Sequence, residues 1–109
     1  MLKRVKRRYL ALAIDSDEMF GSKELMDALW SAISKLYGEY GASQTRLTLI
    51  SHDVEKKFAV VRTAQTTVDM IRTASASITK IGNKAVAIRI LKVSGTLKAL
   101  HRRLPEARF

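Results

Sequence analysis

The 109-residue sequence has no cysteine, one proline and few aromatic residues, which make up 6% of the chain. Without cysteine it has no disulfide framework, no thiolate nucleophile and no zinc finger. No apolar run approaches the roughly 18 residues that a membrane-spanning helix needs. The short apolar run over residues 9–14, which follows a basic start, is shorter than the apolar core of a secretory signal. We therefore expect a cytoplasmic protein with no membrane partner.

Acidic residues are also scarce, and this imbalance is the strongest feature of the composition. Twenty Lys and Arg residues face ten Asp and Glu residues, so the formal net charge is +10. A small basic domain attracts polyanions, which makes nucleic acid the first candidate partner and an acidic membrane the second. A basic face that is merely solvated is the third explanation. The excess lies at the two ends, with +5 in residues 1–14 and +8 in residues 72–109.

The first half of the chain predicts a strand, a helix and a hairpin. Residues 8–14 form a short apolar run, typical of a buried strand. We expect Ser22 to cap a helix whose apolar side chains recur every three or four residues until Gly41 ends it. Two β-prone runs, residues 47–51 and 58–63, then form a hairpin. The predicted buried stripe of the helix is Leu25, Leu29, Ala32, Ile33, Leu36, Tyr37 and Tyr40.

The second half predicts a helix, a strand and a final helix. A capping box of Thr66 and Asp69 opens the helix, which runs to Ile81 and stops at Gly82. Residues 84–93 alternate between two faces, as a strand does. Residues 97–104 form a short helix capped by Thr96.

This order of elements predicts an α+β fold, the ferredoxin-like or RRM-like sandwich. In it a four-stranded antiparallel sheet carries the two main helices on one face, and the short C-terminal helix is an addition. The other sheet face is expected to be available. The first and fourth strands are expected to be neighbours at the sheet centre, which would join the basic ends into one surface. We expect one domain over residues 1–109, with a basic arm (1–8) and a basic helix or tail (96–109).

Aromatic residues give only weak support for base stacking. Tyr9 and Phe58 lie near the positions that RNA-recognition motifs use, but the glycine and later aromatics of that signature are missing. A structural role for both is favoured. Arg89 interrupts an apolar strand, and an edge position with a solvated head group is favoured over an RNA contact. Trp30 is offset from the apolar stripe of its helix, so it either extends the core, which is favoured, or anchors a protein partner.

Candidate catalytic groups are few. Asp15, Asp17 and Glu18 would hold Mg²⁺ in a metal-dependent nuclease, but a solvated acidic loop is the favoured explanation. His52 and His101 have neither triad nor ligand spacing. No phosphate-binding glycine loop occurs. We expect no enzyme activity from the chain alone.

The run Ala85–Leu100, with its Val-Ser-Gly-Thr-x-Lys motif, resembles the family of archaeal ribonuclease P protein component 2. This family is related to a small subunit shared by eukaryotic ribonucleases P and MRP. Residues 28–30, 36–43 and 59–62 and the opening Lys6-Arg7-Arg8-Tyr9-Leu10 match as well, so the resemblance covers essentially the whole chain. Thr63 and Ala59 stand where the family often has cysteine and glycine, small changes that a strand accommodates.

The resemblance implies a non-catalytic subunit of a ribonucleoprotein. In that family the RNA removes the 5′ leader of precursor tRNA by metal-assisted hydrolysis, so Mg²⁺ is expected with the RNA and no cofactor with the protein. The expected protein partner is component 3, in a heterotetramer. A free-standing RNA-binding module or RNA chaperone is the alternative. The residues expected to bind phosphates are Lys3, Arg4, Lys6, Arg7, Arg8, Lys92, Lys98, Arg102 and Arg103.

Overall fold

The computed structural model describes residues 6–103 of the chain, with side chains through residue 100. The elements, in chain order, are β1 (Arg7–Asp15), α1 (Ser22–Thr45), β2 (Thr48–Asp53), β3 (Phe58–Ala64), α2 (Val68–Ser77), β4 (Lys80–Ile81), β5 (Lys84–Ala85), β6 (Ala87–Ser94) and α3 (Leu97–Arg103). A 3-10 turn, Gln65–Thr67, precedes α2.

The main sheet has the strand order β2-β3-β1-β6, and every neighbouring pair is antiparallel. Helices α1 and α2 pack together against one of its faces. This confirms the predicted ferredoxin-like sandwich. The first and last strands of this sheet do pair as predicted, but the last strand lies at the sheet edge and not at its centre. The two central strands are β1 and β3, because β3 pairs with the other side of β1.

The core lies between this sheet face and the two helices. Alternate residues of β1 supply its sheet side, because successive side chains of a strand point to opposite faces. Burying a large aliphatic side chain contributes roughly 1.5–3 kcal/mol, so this layer supplies most of the driving force. Its fully or almost fully buried members include Leu10, Leu12, Ile14, Leu25, Leu29, Ile33, Val61 and Ile71.

Helix α1 differs from its prediction at both ends. Its N-cap is Gly21 and not Ser22, and the backbone N–H of Gly21 donates to the Glu24 carboxylate at 3.2 Å. Gly41 does not end the helix. The break comes at Gly38, whose φ of 77° and ψ of 171° suit only glycine, and helical structure then resumes until Thr45. Three side chains predicted to be buried are exposed: Leu36, Tyr37 and Tyr40. The break changes the helical phase for Tyr40, which follows it, whereas Leu36 and Tyr37 lie before the break and are exposed on the first part of the helix.

Helix α2 is shorter than predicted. It ends at Ser77, and Ile78 is already extended, with φ −80° and ψ 115°. Ile78 and Ile81 are both buried, but they reach the core from an extended segment and the β4–β5 hairpin. The three-residue spacing of Ile78 and Ile81 predicts a helix, but here two extended segments bring both side chains to the core. The predicted Thr66 cap is also wrong, since α2 has no side-chain cap hydrogen bond.

Buried threonines join α1, β3 and α2. The hydroxyl of Thr63 donates to the carbonyl of Thr45 at 2.8 Å and lies 2.9 Å from the hydroxyl of Thr67. The Thr67 hydroxyl also lies 2.9 Å from the carbonyl of Ala64. A hydroxyl at position 63 is therefore hydrogen-bonded within the core, as a buried polar group must be.

Helix α3 folds back over the second face of the sheet. The Thr96 hydroxyl accepts from the backbone N–H of Ala99 at 3.1 Å, which confirms the predicted cap. Leu100 is completely buried in a second apolar cluster with Ala11, Phe58 and Val60. The prediction that this face is available is therefore wrong for its central part. The reason is that Leu97 and Leu100 are apolar at helical spacing, and the exposed sheet face is the nearest surface that can bury them.

Candidate nucleic-acid interface

The two basic ends of the described chain meet at one corner of the molecule. Tyr9 near the start of β1 lies opposite Ser94 at the end of β6. The Arg8 guanidinium lies against Gly95, where a Cβ would be 3.5 Å from Nη1. The beginning of β1 and the turn into α3 are thus adjacent, as the sequence predicted from the pairing of first and last strands.

Five of the nine predicted phosphate-binding residues have described side chains. Lys6, Arg7 and Lys98 are exposed, whereas Arg8 and Lys92 are half-buried. Lys6 is fixed by its backbone, because its carbonyl accepts from the N–H of Gln65 at 2.8 Å. Lys3 and Arg4 lie outside the described residues. Arg102 and Arg103 belong to α3, but their side chains lie outside the described part of the chain.

Arg62 is a basic residue of this surface that sequence reasoning missed. It lies directly opposite Tyr9 in the β1–β3 pairing, so both side chains point to the face that α3 partly covers. Alternation along the strands brings Arg7 and Lys92 to the same face. The sequence did contain a signal for Arg62. Because successive side chains of a strand point to opposite faces, Arg62 shares the face of Val60 and not that of Val61.

The aromatic residues on this face have structural roles. Phe58 is only 8% exposed and belongs to the same apolar cluster as Leu100. Tyr9 is half-buried and packs against that cluster. Stacking requires an accessible ring face. The structure therefore confirms the structural explanation for Phe58, and it closes the central position where RNA-recognition motifs stack bases.

Asp15 is paired with Arg89 across the β1–β6 boundary. The Arg89 guanidinium donates from Nε at 2.5 Å and from Nη2 at 3.3 Å to the two carboxylate oxygens. Hydrogen bonding from Arg89, opposed by desolvation, lowers the pKa of Asp15. The predicted edge position of Arg89 is confirmed, since β6 is an edge strand and the residue is exposed.

The β1–α1 loop carries two further acidic residues. Asp17 and Glu18 are exposed, and the loop is held by Ser16, whose hydroxyl donates to the carbonyl of Ala85 at 2.7 Å. Within residues 6–103, no three His, Cys, Asp or Glu side chains come together as a metal site would require.

His52 contacts the start of α1. Its Nδ1 lies 2.8 Å from the Ser22 hydroxyl, and the ring is half-buried. Burial lowers the pKa of His52, and the neighbouring Asp53 partly opposes this effect. Because the first turn of a helix is electropositive, a neutral ring is also the better neighbour there. The side chain of His101 lies outside the described part of the chain.

An apolar surface lies on the opposite side of the molecule, on α1. Trp30 is half-buried and packs against the main core, in line with the favoured core explanation. Beyond it, Leu36 and Tyr37 are exposed, and Tyr40 is 78% exposed. Large exposed apolar side chains grouped near a helix break are typical of a protein interface.

None of the helices in residues 6–103 is both long enough and apolar enough to cross a membrane. The comparison with protein families matches residues 8–105 to the model of the Rpp14/Pop5 family. Ribonuclease P protein component 2 of Pyrococcus abyssi is 34% identical over 100 residues, which cover 92% of this chain and 85% of that protein. The protein of the same name from Pyrococcus furiosus is 34% identical over 101 residues, covering 92% and 83%.

A solved structure shares the fold. A chain in the cryo-EM structure of yeast ribonuclease MRP superimposes with a TM-score of 0.72, covering 97% of this chain and 94% of that one. The two sequences are 15% identical, so this likeness concerns the fold alone.

Proposed function

This chain belongs to the Rpp14/Pop5 family, and we propose that it is a non-catalytic protein subunit of ribonuclease P. In this proposal it acts in the cytoplasm and supports the RNA that removes the 5′ leader of precursor tRNA. The names of the archaeal relatives support the assignment to ribonuclease P.

The observation that carries the RNA-binding role is the meeting of the two basic ends. Arg7, Arg62, Lys92 and Lys98 come from four different elements and surround one partly covered sheet face. Cations held on a folded scaffold neutralise phosphates without the cost of gathering flexible chains. The bound RNA would then need less Mg²⁺ to hold closely spaced strands together. Mg²⁺ in this proposal belongs to the RNA.

For the protein partner we propose component 3, in a heterotetramer with two copies of each protein, as the family resemblance implies. The exposed side chains Leu36, Tyr37 and Tyr40 are the best candidates for its binding site. They lie on α1, whereas the basic face lies on the other side of the sheet. This separation would let one domain bind RNA and protein at the same time. Trp30 would contribute mainly by supporting the helix from the core side.

The test is removal of the leader from precursor tRNA by reconstituted mixtures. RNA alone, this protein alone, and RNA with this protein and component 3 are compared over a Mg²⁺ titration. We expect cleavage only when the RNA is present, and a lower Mg²⁺ midpoint when both proteins are added. Cleavage by this protein alone would make it a nuclease. An unchanged midpoint together with binding to unrelated RNAs would favour a free-standing RNA-binding module.

A further inference from the structure

Helix α3 leaves one end of the sheet face uncovered, and a concave pocket lies there. Leu100 covers Ala11 and Val60, but the next residue of β1 on that face, Ala13, lines an open pocket of about 470 Å³. This volume lies within the range of about 300–1,000 Å³ found for small-ligand sites. The other lining residues used below are Asp15, Lys56, Lys57, Phe58, Arg89 and Leu91.

The floor of the pocket includes an accessible apolar side chain. In the β1–β6 pairing, Ala11 lies opposite Lys92 and Leu12 opposite Ile90, so Leu91 is the extra residue of a β-bulge. Leu91 is 38% exposed. A bulge interrupts the regular alternation of side chains between the two faces of a strand. Here it places Leu91 with Ala13 in the lining of the pocket.

The walls are cationic. Lys57 has a left-handed backbone conformation, with φ 54°. Its Nζ donates to the carbonyl of Ser16, which fixes the positive charge at the rim of the pocket. Lys56 is exposed, and its ammonium has no hydrogen-bond or ion-pair partner among the described residues. Arg89 binds Asp15 through Nε and Nη2, which leaves Nη1 without a partner in that part of the chain. The pocket lining therefore has three cations, Lys56, Lys57 and Arg89, and one carboxylate, Asp15, so its net charge is positive.

We propose that this pocket binds one unpaired nucleotide of an RNA strand, a contact separate from the basic ends. The phosphate is bound by Lys56 and by the Nη1 side of Arg89, and the base lies on Leu91 and Ala13. Single-strand binding sites generally combine a positive groove with aromatic side chains on which bases stack. In this pocket the aliphatic side chains of Leu91 and Ala13 take the place of an aromatic ring. An open concavity of this size has room for one nucleotide. This inference deepens the proposed function and rests on it.

The experiment is an NMR titration of the full chain with the single-stranded RNA hexauridylate, following backbone amides. We expect the amides of Ala13, Lys56 and Leu91 to shift. Lys56→Gln should weaken binding about threefold, as expected for one exposed charge contact. It should also reduce the slope of log affinity against log salt by about 0.7, the value for one phosphate of a single strand. Leu91→Ser should weaken binding about three- to tenfold, because the base would no longer rest on an apolar side chain.

Lys35→Gln is the matched control, because Lys35 is also an exposed lysine and lies on α1. It should bind hexauridylate like the unmodified chain. Shifts confined to Arg7, Arg62 and Lys98 would overturn the pocket and leave the proposed function intact. Equal shifts of the pocket amides with hexaglutamate would also overturn it, since that result means attraction of any anion. Pocket shifts without any effect of the protein on leader removal would support the pocket and contradict the proposed function.

Discussion

The Arg89 guanidinium in β6 donates two hydrogen bonds to the Asp15 carboxylate in β1, across 74 residues of sequence. The pair lies where the edge strand meets the central strand, at the end of the sheet that α3 does not cover. It occupies the carboxylate that a nuclease site would need. It also fixes the guanidinium beside the proposed nucleotide pocket.

The Asp15–Arg89 pair makes the stability of the protein sensitive to acid. Because the pKa of Asp15 is lowered in the folded state, the contribution is present above its unfolded value of 3.8 and is lost as pH falls through the folded value. We expect Asp15→Asn to flatten the pH dependence of the melting temperature below pH 4. Arg89→Gln should flatten it similarly. If both variants retain the full acid sensitivity, the pair contributes nothing to it.

His52 predicts a second pH dependence, near neutrality. Burial lowers its pKa, so stability is fully present above the unfolded value of 6.5 and decreases as pH falls through the folded value. Urea unfolding at pH 5 and at pH 7.5 should therefore show a loss of stability at pH 5 that His52→Gln reduces. Asp53→Asn removes the opposing charge and should enlarge the loss. An identical pH profile in His52→Gln would contradict the assignment.

Leu100 controls whether α3 stays on the sheet. Truncation of a buried Leu to Ala lowers the free energy of unfolding by on the order of 2–5 kcal/mol. Here the loss cannot exceed the free energy needed to detach α3 from the sheet. We expect faster hydrogen exchange of the Ala99 and Leu100 amides, with little change at Val61 in the main core. Thr96→Ala removes the cap and should cost about 1 kcal/mol in the same exchange. Uniformly faster exchange throughout would show that α3 and the core unfold as one unit.

The basic ends should determine the salt dependence of RNA binding. Neutralising Lys6, Arg7, Arg8, Arg102 and Arg103 together should weaken binding of ribonuclease P RNA. The slope of log affinity against log salt should fall by roughly 0.7–0.9 for each phosphate that the protein no longer neutralises. A filter-binding series in KCl measures this slope, and an unchanged slope would contradict the role of the ends. The matched control neutralises five exposed cations elsewhere on the surface: Lys23, Lys35, Arg72, Lys80 and Lys84.

Tyr40 separates partner binding from folding. Because it is 78% exposed, Tyr40→Ala should change stability by less than about 0.5 kcal/mol. We expect binding to component 3, measured by calorimetry, to weaken about tenfold if the ring is an interface anchor. Trp30→Ala is the comparison, and its half-buried position predicts a loss of stability instead. Wild-type affinity in a folded Tyr40→Ala protein would move the partner site elsewhere.

The sequence predicted the sandwich because its two periodicities are strong: alternation in β6 as far as Ile90, before the bulge at Leu91, and a stripe of Leu25, Leu29 and Ile33 in α1. It failed where periodicity is ambiguous or interrupted. Ile78 and Ile81 have helical spacing but reach the core from extended backbone. Gly38 adopts a conformation that no side-chain pattern reports, and it exposes Tyr40. Arg62 was missed because its neighbours across the sheet come from distant parts of the chain.

The class of fold, the excess of positive charge and the family resemblance could all be read from the chain, because composition, periodicity and motif are local properties. Which charges are neighbours, and which part of the sheet surface is open, depended on the folded arrangement. Strand pairing joined Tyr9 to Ser94 and Asp15 to Arg89. The burial of Leu100 closed the centre of the second sheet face and left a cationic pocket at its end. The predicted topology already placed the first and last strands side by side, but the individual contacts join residues far apart in sequence, and no local pattern specifies them.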